Sequence, residues 1–395
     1  MRIAFITFEY PPRLFGGAGV YAENIVTNLA KLGHEIEVYV PTTDGPSVAE
    51  HPMPGVEINR LSISREWFLG LMGFCAKVTR RLERAKGQAR VDVVHINSMA
   101  FFGLRDRVNG LNYVSTGHHL SGETARKANL RLVDRLQDFN GENGFLVPWA
   151  ERYGVRFTDR YIAVSMETKL SLRSLYGVSD QQVDVVWNGV DVRGAPIGPQ
   201  DREELRTSLG LPSEPIFLFV GRIDDPRKDL LSIIRAIAKL PMGTKAHLVV
   251  VGSGNTTKAE QLAKDLGEEE RVIFRGRVSP EELWKTYLVA DTVICASKQE
   301  GFGLTILEGL CSGCKVISTE VGVVKEIKDR LEAIVPVSSP EALAEAMART
   351  TKHPSKSRYV EVKLPYDLSW ERSVHQTVSA YEKVIEERRN RDDST

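Results

Sequence analysis

Glu300-Gly301-Phe302-Gly303-Leu304-Thr305-Ile306-Leu307-Glu308 is the stretch on which the reading of this chain turns. It follows an apolar run, Asp291-Thr292-Val293-Ile294-Cys295-Ala296, that reads as a buried parallel strand ending at Ser297. Beyond the glycines, Leu304, Ile306, Leu307 and Leu310 fall at the spacing of a helix that packs one face on a sheet. The element is a strand, a short glycine turn and a helix N-terminus. Such a turn points unpaired backbone N–H groups, and the positive end of a helix dipole, at whatever lies above it. Gly301 and Gly303 carry no Cβ, so the backbone from Gly301 through Phe302, Gly303 and Leu304 to Thr305 is free to approach a bulky anion. Glu300 stands just before the turn and Glu308 two helical turns further along. Carboxylates do not hold phosphate; they accept strongly from hydroxyl groups. Phosphate flanked by polyol points to a nucleotide sugar as ligand.

The bulk numbers set the frame. A chain of 395 residues with 42% hydrophobic and 26% charged residues has room for two domains, each with its own core. Its 52 basic and 52 acidic residues cancel, so there is no global field to draw nucleic acid. Four cysteines do not make a disulfide framework, and a reducing cytoplasm is the expected setting. The opening Met1-Arg2-Ile3-Ala4-Phe5-Ile6-Thr7 is too short in its apolar part for a secretion signal. No stretch supplies the roughly 18 apolar residues that span a bilayer. Contact with a membrane surface is the most that is expected.

In chain order, residues 2–8 read as a buried strand, followed by a long loop with Gly16-Gly17-Ala18-Gly19, a helix over 20–31 and a strand over 36–40. This is the start of a doubly wound sheet. The glycine spacing is not the dinucleotide fingerprint. Close backbone approach of Gly17 and Gly19 to a ligand at the sheet's C-terminal edge is preferred over a merely mobile loop. Residues 67–86 put Trp67, Phe68, Leu69, Leu71, Met72 and Phe74 ahead of Lys77, Arg80, Arg81, Arg84 and Lys86. A core helix with a solvated basic end is the leading reading, and a helix lying on an anionic membrane is the second. Strands over 91–97 and 113–116 lead to Gly117-His118-His119, where open α/β sheets bind ligands. No third ligand is spaced for a metal, so a histidine facing substrate is favoured and no metal site is expected. Residues 120–154 are a candidate wall on the acceptor side, and strands over 159–165 and 183–187 close this half before Asn188-Gly189-Val190-Asp191.

Residues 192–215 have a linker's composition, with a short helix over 201–209. A second series then begins with a strand over 216–222, the loop Arg222-Ile223-Asp224-Asp225-Pro226-Arg227-Lys228 and a helix over 229–240. Arg222, with its fork geometry, and Lys228, as a point charge, suit a diphosphate above the Gly301–Leu304 turn. Strands over 246–251, before Gly252-Ser253-Gly254, and over 272–278 extend the alternation. The expectation is an α/β chain of two similar sheets with a cleft between them. Cys311 and Cys314 lack a second pair and read as buried thiols. A last helix over 370–387 and a solvated tail over 388–395 complete the chain.

Taken together, these motifs resemble the family 4 retaining glycosyltransferases over nearly the whole chain. The specific part is Glu300-Gly301-Phe302-Gly303-Leu304 with Glu308, the E-x7-E signature. Gly16-Gly17-Ala18-Gly19, Asn188-Gly189-Val190-Asp191 and Val220-Gly221-Arg222 with Lys228 join it. The resemblance implies the GT-B fold, two Rossmann-like domains facing across a cleft. An acceptor domain would cover 1–187 and a donor domain 188–370, with a helix over 371–395 crossing back to the first. It implies transfer of a hexosyl unit from a UDP-, GDP- or ADP-sugar to a sugar, lipid-linked or small-molecule acceptor, with no cofactor. Arg222 and Lys228 would hold the diphosphate with the amides of Gly303, Leu304 and Thr305. Glu300 would bind the donor sugar and Glu308 the ribose. His118, rather than His119, would lie close to the transferred sugar, Gly17 and Gly19 would approach the diphosphate, and the base would rest near Gly252 and Val278.

The chain departs from the family at Asp229, where Gly commonly follows the Lys, and at Gly322-Val323, which replaces a glycine pair. No Asp-x-Asp pair occurs, which agrees with metal-independent transfer. A sugar-nucleotide epimerase of the same shape and a non-catalytic sugar-nucleotide scaffold are the competing readings.

Overall fold

The computed structural model describes residues 1–13, 16–64, 67–88, 91–98, 108, 110–118, 120, 151–190, 198–352 and 367–393. His119, residues 121–150 of the expected acceptor wall over 120–154 and the linker residues 191–197 lie outside the described residues. Contacts divide the chain into two units, Met1–Gly189 with Leu368–Thr395, and Val190–Asp367.

The first unit is built on eight strands: β1 (Arg2–Ile6), β2 (Glu35–Thr42), β3 (Val48–Met53), β4 (Val56–Ser62), β5 (Val93–Ile96), β6 (Asn112–Gly117), β7 (Arg160–Ala163) and β8 (Val183–Val185). Their order is β3-β4-β2-β1-β5-β6-β7-β8, with β3 antiparallel to β4 and the other pairs parallel. From β1 the chain winds first towards β2 and β4, then restarts on the other side at β5. That reversal opens a crevice at the C-terminal ends of β1 and β5.

Strand β1 is apolar on both faces because helices cover both. Ile3 and Phe5 are buried with Tyr21, Ile25 and Leu29 of the helix Gly17–Lys31 and with Trp370, Val374, Tyr381 and Val384 of the helix Trp370–Asp392. Ala4 and Ile6 point the other way, onto Leu71, Phe74, Val78 and Leu82 of the helix Trp67–Gln88. The apolar stripe of this last helix is thus core, and its basic residue Arg81 donates to Asn59 Oδ1 at 2.6 Å.

Three details differ from the sequence expectations. The first helix begins at Gly17, not residue 20, so Gly17 and Gly19 belong to its first turn rather than to a loop; Gly16, in extended conformation, precedes it and donates to Glu9 Oε2 at 2.9 Å. The hairpin β3–β4, turning at Gly55 with φ 79°, adds an edge that the reading passed over. The last helix runs to Asp392 instead of 387, because its end is held: Arg160 donates to Glu387 at 2.7 Å and Arg388 donates to the Leu111 carbonyl at 2.8 Å. Where the chain leaves and re-enters this unit, Gly189 lies against Trp370; a Cβ on Gly189 would fall 2.5 Å from it. That contact explains why a glycine follows Asn188.

The second unit carries β9 (Ile216–Val220), β10 (His247–Val251), β11 (Val272–Gly276), β12 (Thr292–Cys295), β13 (Lys315–Thr319) and β14 (Ala333–Val335). All are parallel, in the order β11-β10-β9-β12-β13-β14, so the winding again reverses, between β9 and β12. Phe217, Phe219, Leu248, Val250, Ile294 and Ile317 are buried with Leu230, Ile233, Ile234 and Ile237 of the helix Leu230–Ala238. All four cysteines of the chain are free thiols, and Cys314 Sγ contacts the Tyr287 carbonyl at 3.1 Å.

Candidate functional site at the sheet edges

In the second unit, the loops after β9 and β12 meet across the reversal. The Lys298 amide donates to the Arg227 carbonyl at 2.7 Å. Beside it, Lys228 Nζ donates to Glu300 Oε1 at 2.6 Å, and the Ser297 hydroxyl donates to the same oxygen at 2.6 Å. Glu300 Oε2 has no hydrogen-bond partner among the described residues. These side chains are only 23% and 12% exposed. Burial alone would push the Glu300 carboxyl up, but the Lys228 ammonium and the Ser297 hydroxyl outweigh it and hold the carboxyl below its ordinary value. Burial likewise works against the Lys228 charge, and the Glu300 carboxylate overcomes it and raises the ammonium's pKa. Both groups are therefore charged at neutral pH.

Around this pair the backbone is drawn tight. Gly252, at φ 153°, packs so closely on Gly221 that a Cβ there would fall 1.7 Å from the Gly221 carbonyl oxygen. The Gly252 amide donates to Gly276 at 2.9 Å, which fixes the end of β11, two residues before the half-buried Val278. Arg222 follows Gly221, half exposed, its guanidinium 3.7 Å from Asp224. Asp225 binds Arg227 through both carboxylate oxygens, at 3.1 Å and 2.7 Å, which stiffens the loop that carries Lys228.

The glycine turn after β12 starts the helix Leu304–Cys311 at Gly303, whose φ of 99° needs glycine, and no side chain caps that helix. The N–H groups of Leu304 and Thr305 in its first turn have no partner within the helix. Phe302 is buried, 4% exposed, and packs inward, which leaves its backbone to the turn. That backbone carbonyl accepts from the Val323 amide at 2.8 Å, and a Cβ on Gly322 would fall 2.4 Å from it. Of the glycine pair replaced by Gly322-Val323, the first glycine is thus the one the packing requires. Glu308 Oε2 accepts from the Tyr287 hydroxyl at 2.6 Å. Burial first, and then Glu308, keep that phenol protonated far above its ordinary range.

The departure at Asp229 also has a physical account. Its backbone is left-handed, φ 50° and ψ 42°, a conformation that favours glycine but that Asp tolerates better than most residues. Its carboxylate accepts from Ser338 Oγ at 2.6 Å, itself at φ 51°, and lies 3.8 Å from Lys298.

In the first unit the corresponding loops are joined without an ion pair among the described residues. His118, after β6, donates from Nε2 to Asn97 Oδ1 at 2.6 Å. Asn97, just after β5, donates from Nδ2 to Thr7 Oγ1 at 3.1 Å, just after β1, and to the Ala18 carbonyl at 3.0 Å. Asn97 thus joins His118 to the backbone at Ala18, between the expected Gly17 and Gly19. The Tyr21 ring meets the His118 ring edge-on at 4.9 Å. Behind them, buried His95 bonds Tyr381 through Nδ1 at 2.5 Å and Thr116 through Nε2 at 2.8 Å. Burial, helped by nearby His118, pushes the His95 pKa down to about 3, so it stays neutral. Sequence reasoning missed Asn97, Thr7, Tyr21, Tyr287 and Ser338. Only Asn97 left a signal, a polar residue closing an apolar strand.

Two Rossmann-like units, each reversing its strand order beside its first strand, define the GT-B class of fold. The chain belongs to the family 4 glycosyltransferases: Glycosyltransferase Family 4 matches residues 15–193 and Glycosyl transferases group 1 matches residues 201–361. It is similar to the D-inositol 3-phosphate glycosyltransferase of Actinosynnema mirum, 30% identical over 93% of this chain and 92% of that one. The sucrose-phosphate synthase of Thermosynechococcus elongatus shares the fold with a TM-score of 0.72 at 20% identity, over 100% of this chain and 98% of the other. The HepE protein of Anabaena, solved in complex with UDP-glucose, shares it with a TM-score of 0.64 at 17% identity, over the whole of both chains.

Proposed function

We propose that this glycosyltransferase moves a hexosyl unit from a nucleoside-diphosphate sugar to an acceptor hydroxyl with retention at the anomeric carbon and without a metal. The Lys228–Glu300 pair across the β9/β12 reversal carries the reading. It sets a cation and a hydroxyl-accepting carboxylate beside an uncapped helix N-terminus, as a sugar diphosphate requires. Breaking the bond to the diphosphate builds negative charge on the leaving group. Arg222, Lys228 and the amides from Gly303 to Thr305 stabilise it where it develops. Glu300 binds the sugar's hydroxyls through its second oxygen. Its first oxygen is already held by Lys228 and Ser297, which favours a ligand over a nucleophile. Attack then comes from the face the leaving group departs from, and the departing phosphate takes the acceptor proton. Glu308, oriented by Tyr287, binds the ribose, and the base lies near Gly252 and Val278. From the first unit, His118 serves the transferred sugar, and Gly17 and Gly19 the diphosphate.

A UDP-, GDP- or ADP-sugar is the donor. A sugar, a lipid-linked sugar or a small polyol is the acceptor, with inositol phosphate the first to assay because a relative at 30% identity is named for it. The cytoplasm is the proposed compartment, supported by four free thiols. Among the described residues no helix is long and apolar enough to cross a membrane. Peripheral membrane contact is a second reading, favoured by Leu69 and Met72, which stand 58% and 39% exposed ahead of the basic run. Sedimentation with anionic vesicles that is unchanged by Leu69→Ser with Met72→Ser removes it.

The test is nucleotide binding followed by turnover. One of UDP, GDP or ADP should raise the melting temperature by a few degrees at about 100 times its Kd, with EDTA present. Arg222→Ala should weaken that binding about 10- to 100-fold while leaving the melting temperature of the free protein unchanged. NMR of the product should show the donor's anomeric configuration. An inverted product, a shift abolished by EDTA, or no response to any nucleotide overturns the proposal.

A further inference from the structure

Asn97 is 3% exposed, and it has three neighbours that leave its amide a single orientation. The Ala18 carbonyl is an acceptor with no proton to give, so the group facing it at 3.0 Å must be the Asn97 NH2. The Thr7 hydroxyl donates its proton to the Glu9 carbonyl at 2.9 Å, which leaves its lone pairs for the second N–H of that same NH2, at 3.1 Å. Both donors are then used. The remaining atom, Oδ1, is an acceptor, and it faces His118 Nε2 at 2.6 Å. A flipped amide would set oxygen against oxygen at Ala18.

We infer that Asn97 is the positioning residue that fixes the tautomer of His118: Nε2 carries the proton, and the neutral imidazole keeps its lone pair on Nδ1. The inference rests on the reading of His118 as a substrate-facing group and specifies which of its ring nitrogens carries the proton. It also ties that choice to the glycine turn. Ala18 lies between Gly17 and Gly19, so the backbone of the first helical turn and the protonation pattern of His118 are set by one amide. The Tyr21 ring, roughly perpendicular with its centroid 4.9 Å from that of the imidazole, then holds the plane of the imidazole.

The experiment is long-range proton–nitrogen NMR on protein labelled at histidine nitrogen, at pH above the His118 transition, with His118→Gln assigning the signal by its loss. The wild-type ring should appear as a single Nε2–H tautomer. Asn97→Ala should give a mixture or the Nδ1–H form, and Asn97→Asp should keep Nε2–H while raising the His118 pKa by about one unit or more. With an identified donor, kcat in Asn97→Ala should fall about tenfold, and Asn97→Asp should shift the pH profile rather than only lower it. A wild-type ring found as Nδ1–H, or a tautomer unchanged in Asn97→Ala, overturns the inference. These readouts need no turnover, so loss of the glycosyl-transfer reading would leave the tautomer result standing and remove only its catalytic meaning.

Discussion

The two sheet edges share one topology and differ in chemistry. In both units the strand order reverses beside the first strand, so the loops after β1 and β5, and after β9 and β12, are brought together by winding alone. At the second unit's edge the loops are joined by charge: Lys228 with Glu300, and Arg227 with Asp225. At the first unit's edge they are joined by neutral groups, Thr7, Asn97 and His118, with aromatic rings behind. The winding places the loops, and the loop residues set the chemistry each edge offers. Under the proposed function, the charged edge suits a diphosphate and a departing anion. The neutral groups of the other edge suit hydroxyl groups.

The contrast is most exposed to Lys228→Ala. Removing the ammonium strands a largely buried carboxylate, which should cost about 3 kcal/mol of stability and about 100- to 1000-fold in kcat. Adding Glu300→Gln should restore most of the stability, measured by denaturant unfolding, and none of the turnover. If the double variant recovers turnover, the charge serves the fold and not the ligand.

A smaller effect distinguishes the neutral edge. His95 stays unprotonated when folded, with a pKa of about 3, against about 6.5 in an unfolded chain. Between those values the unfolded state binds the extra proton, so stability falls as the pH drops below about 6.5. His95 should account for a loss of about 2 kcal/mol between pH 6.5 and 5. His95→Gln, which still offers a donor and an acceptor to Tyr381 and Thr116, should remove that part of the slope. An identical slope in the variant would show that another group drives it.

The smallest effect concerns the backbone under the charged edge. Asp229→Ala should destabilise by about 1–2 kcal/mol, because alanine gains nothing in the left-handed region and loses the bond from Ser338. Asp229→Gly should stay within about 0.5 kcal/mol of wild type, relief of strain offsetting the lost bond. Equal costs for the two would mean that the backbone at this position stores no strain.

Much of this was legible in the chain. The run from Asp291 to Glu308 shows strand, turn and helix in consecutive residues, because periodicity and glycine placement are local. Lys228 and Glu300 were each readable as site residues, but their direct bond was not, since 72 positions separate them and only the strand order brings them together. Asn97 was harder still. Its partners are 90 and 79 positions upstream and 21 downstream, and one buried amide carries no periodicity. The start of the first helix was misplaced for a local reason: Gly17 and Gly19 look like loop residues, and the extended Gly16 before them, holding Glu9, lets the helix begin there. At Asp229 the sequence recorded a departure from glycine, and only the φ angle explained what the glycine would have been for.

One feature of the fold bears on how the protein is made. The first unit needs Trp370, Val374, Tyr381 and Val384 from the end of the chain to fill the face of its own sheet. The second unit is contiguous in sequence. During synthesis the first unit therefore emerges well before the helix that covers its sheet, and meanwhile shows water an apolar sheet face. Domains commonly fold in the order in which they emerge. Here the half that is translated first is the half that finishes last, and its nascent chain is the one that a chaperone would have to shield.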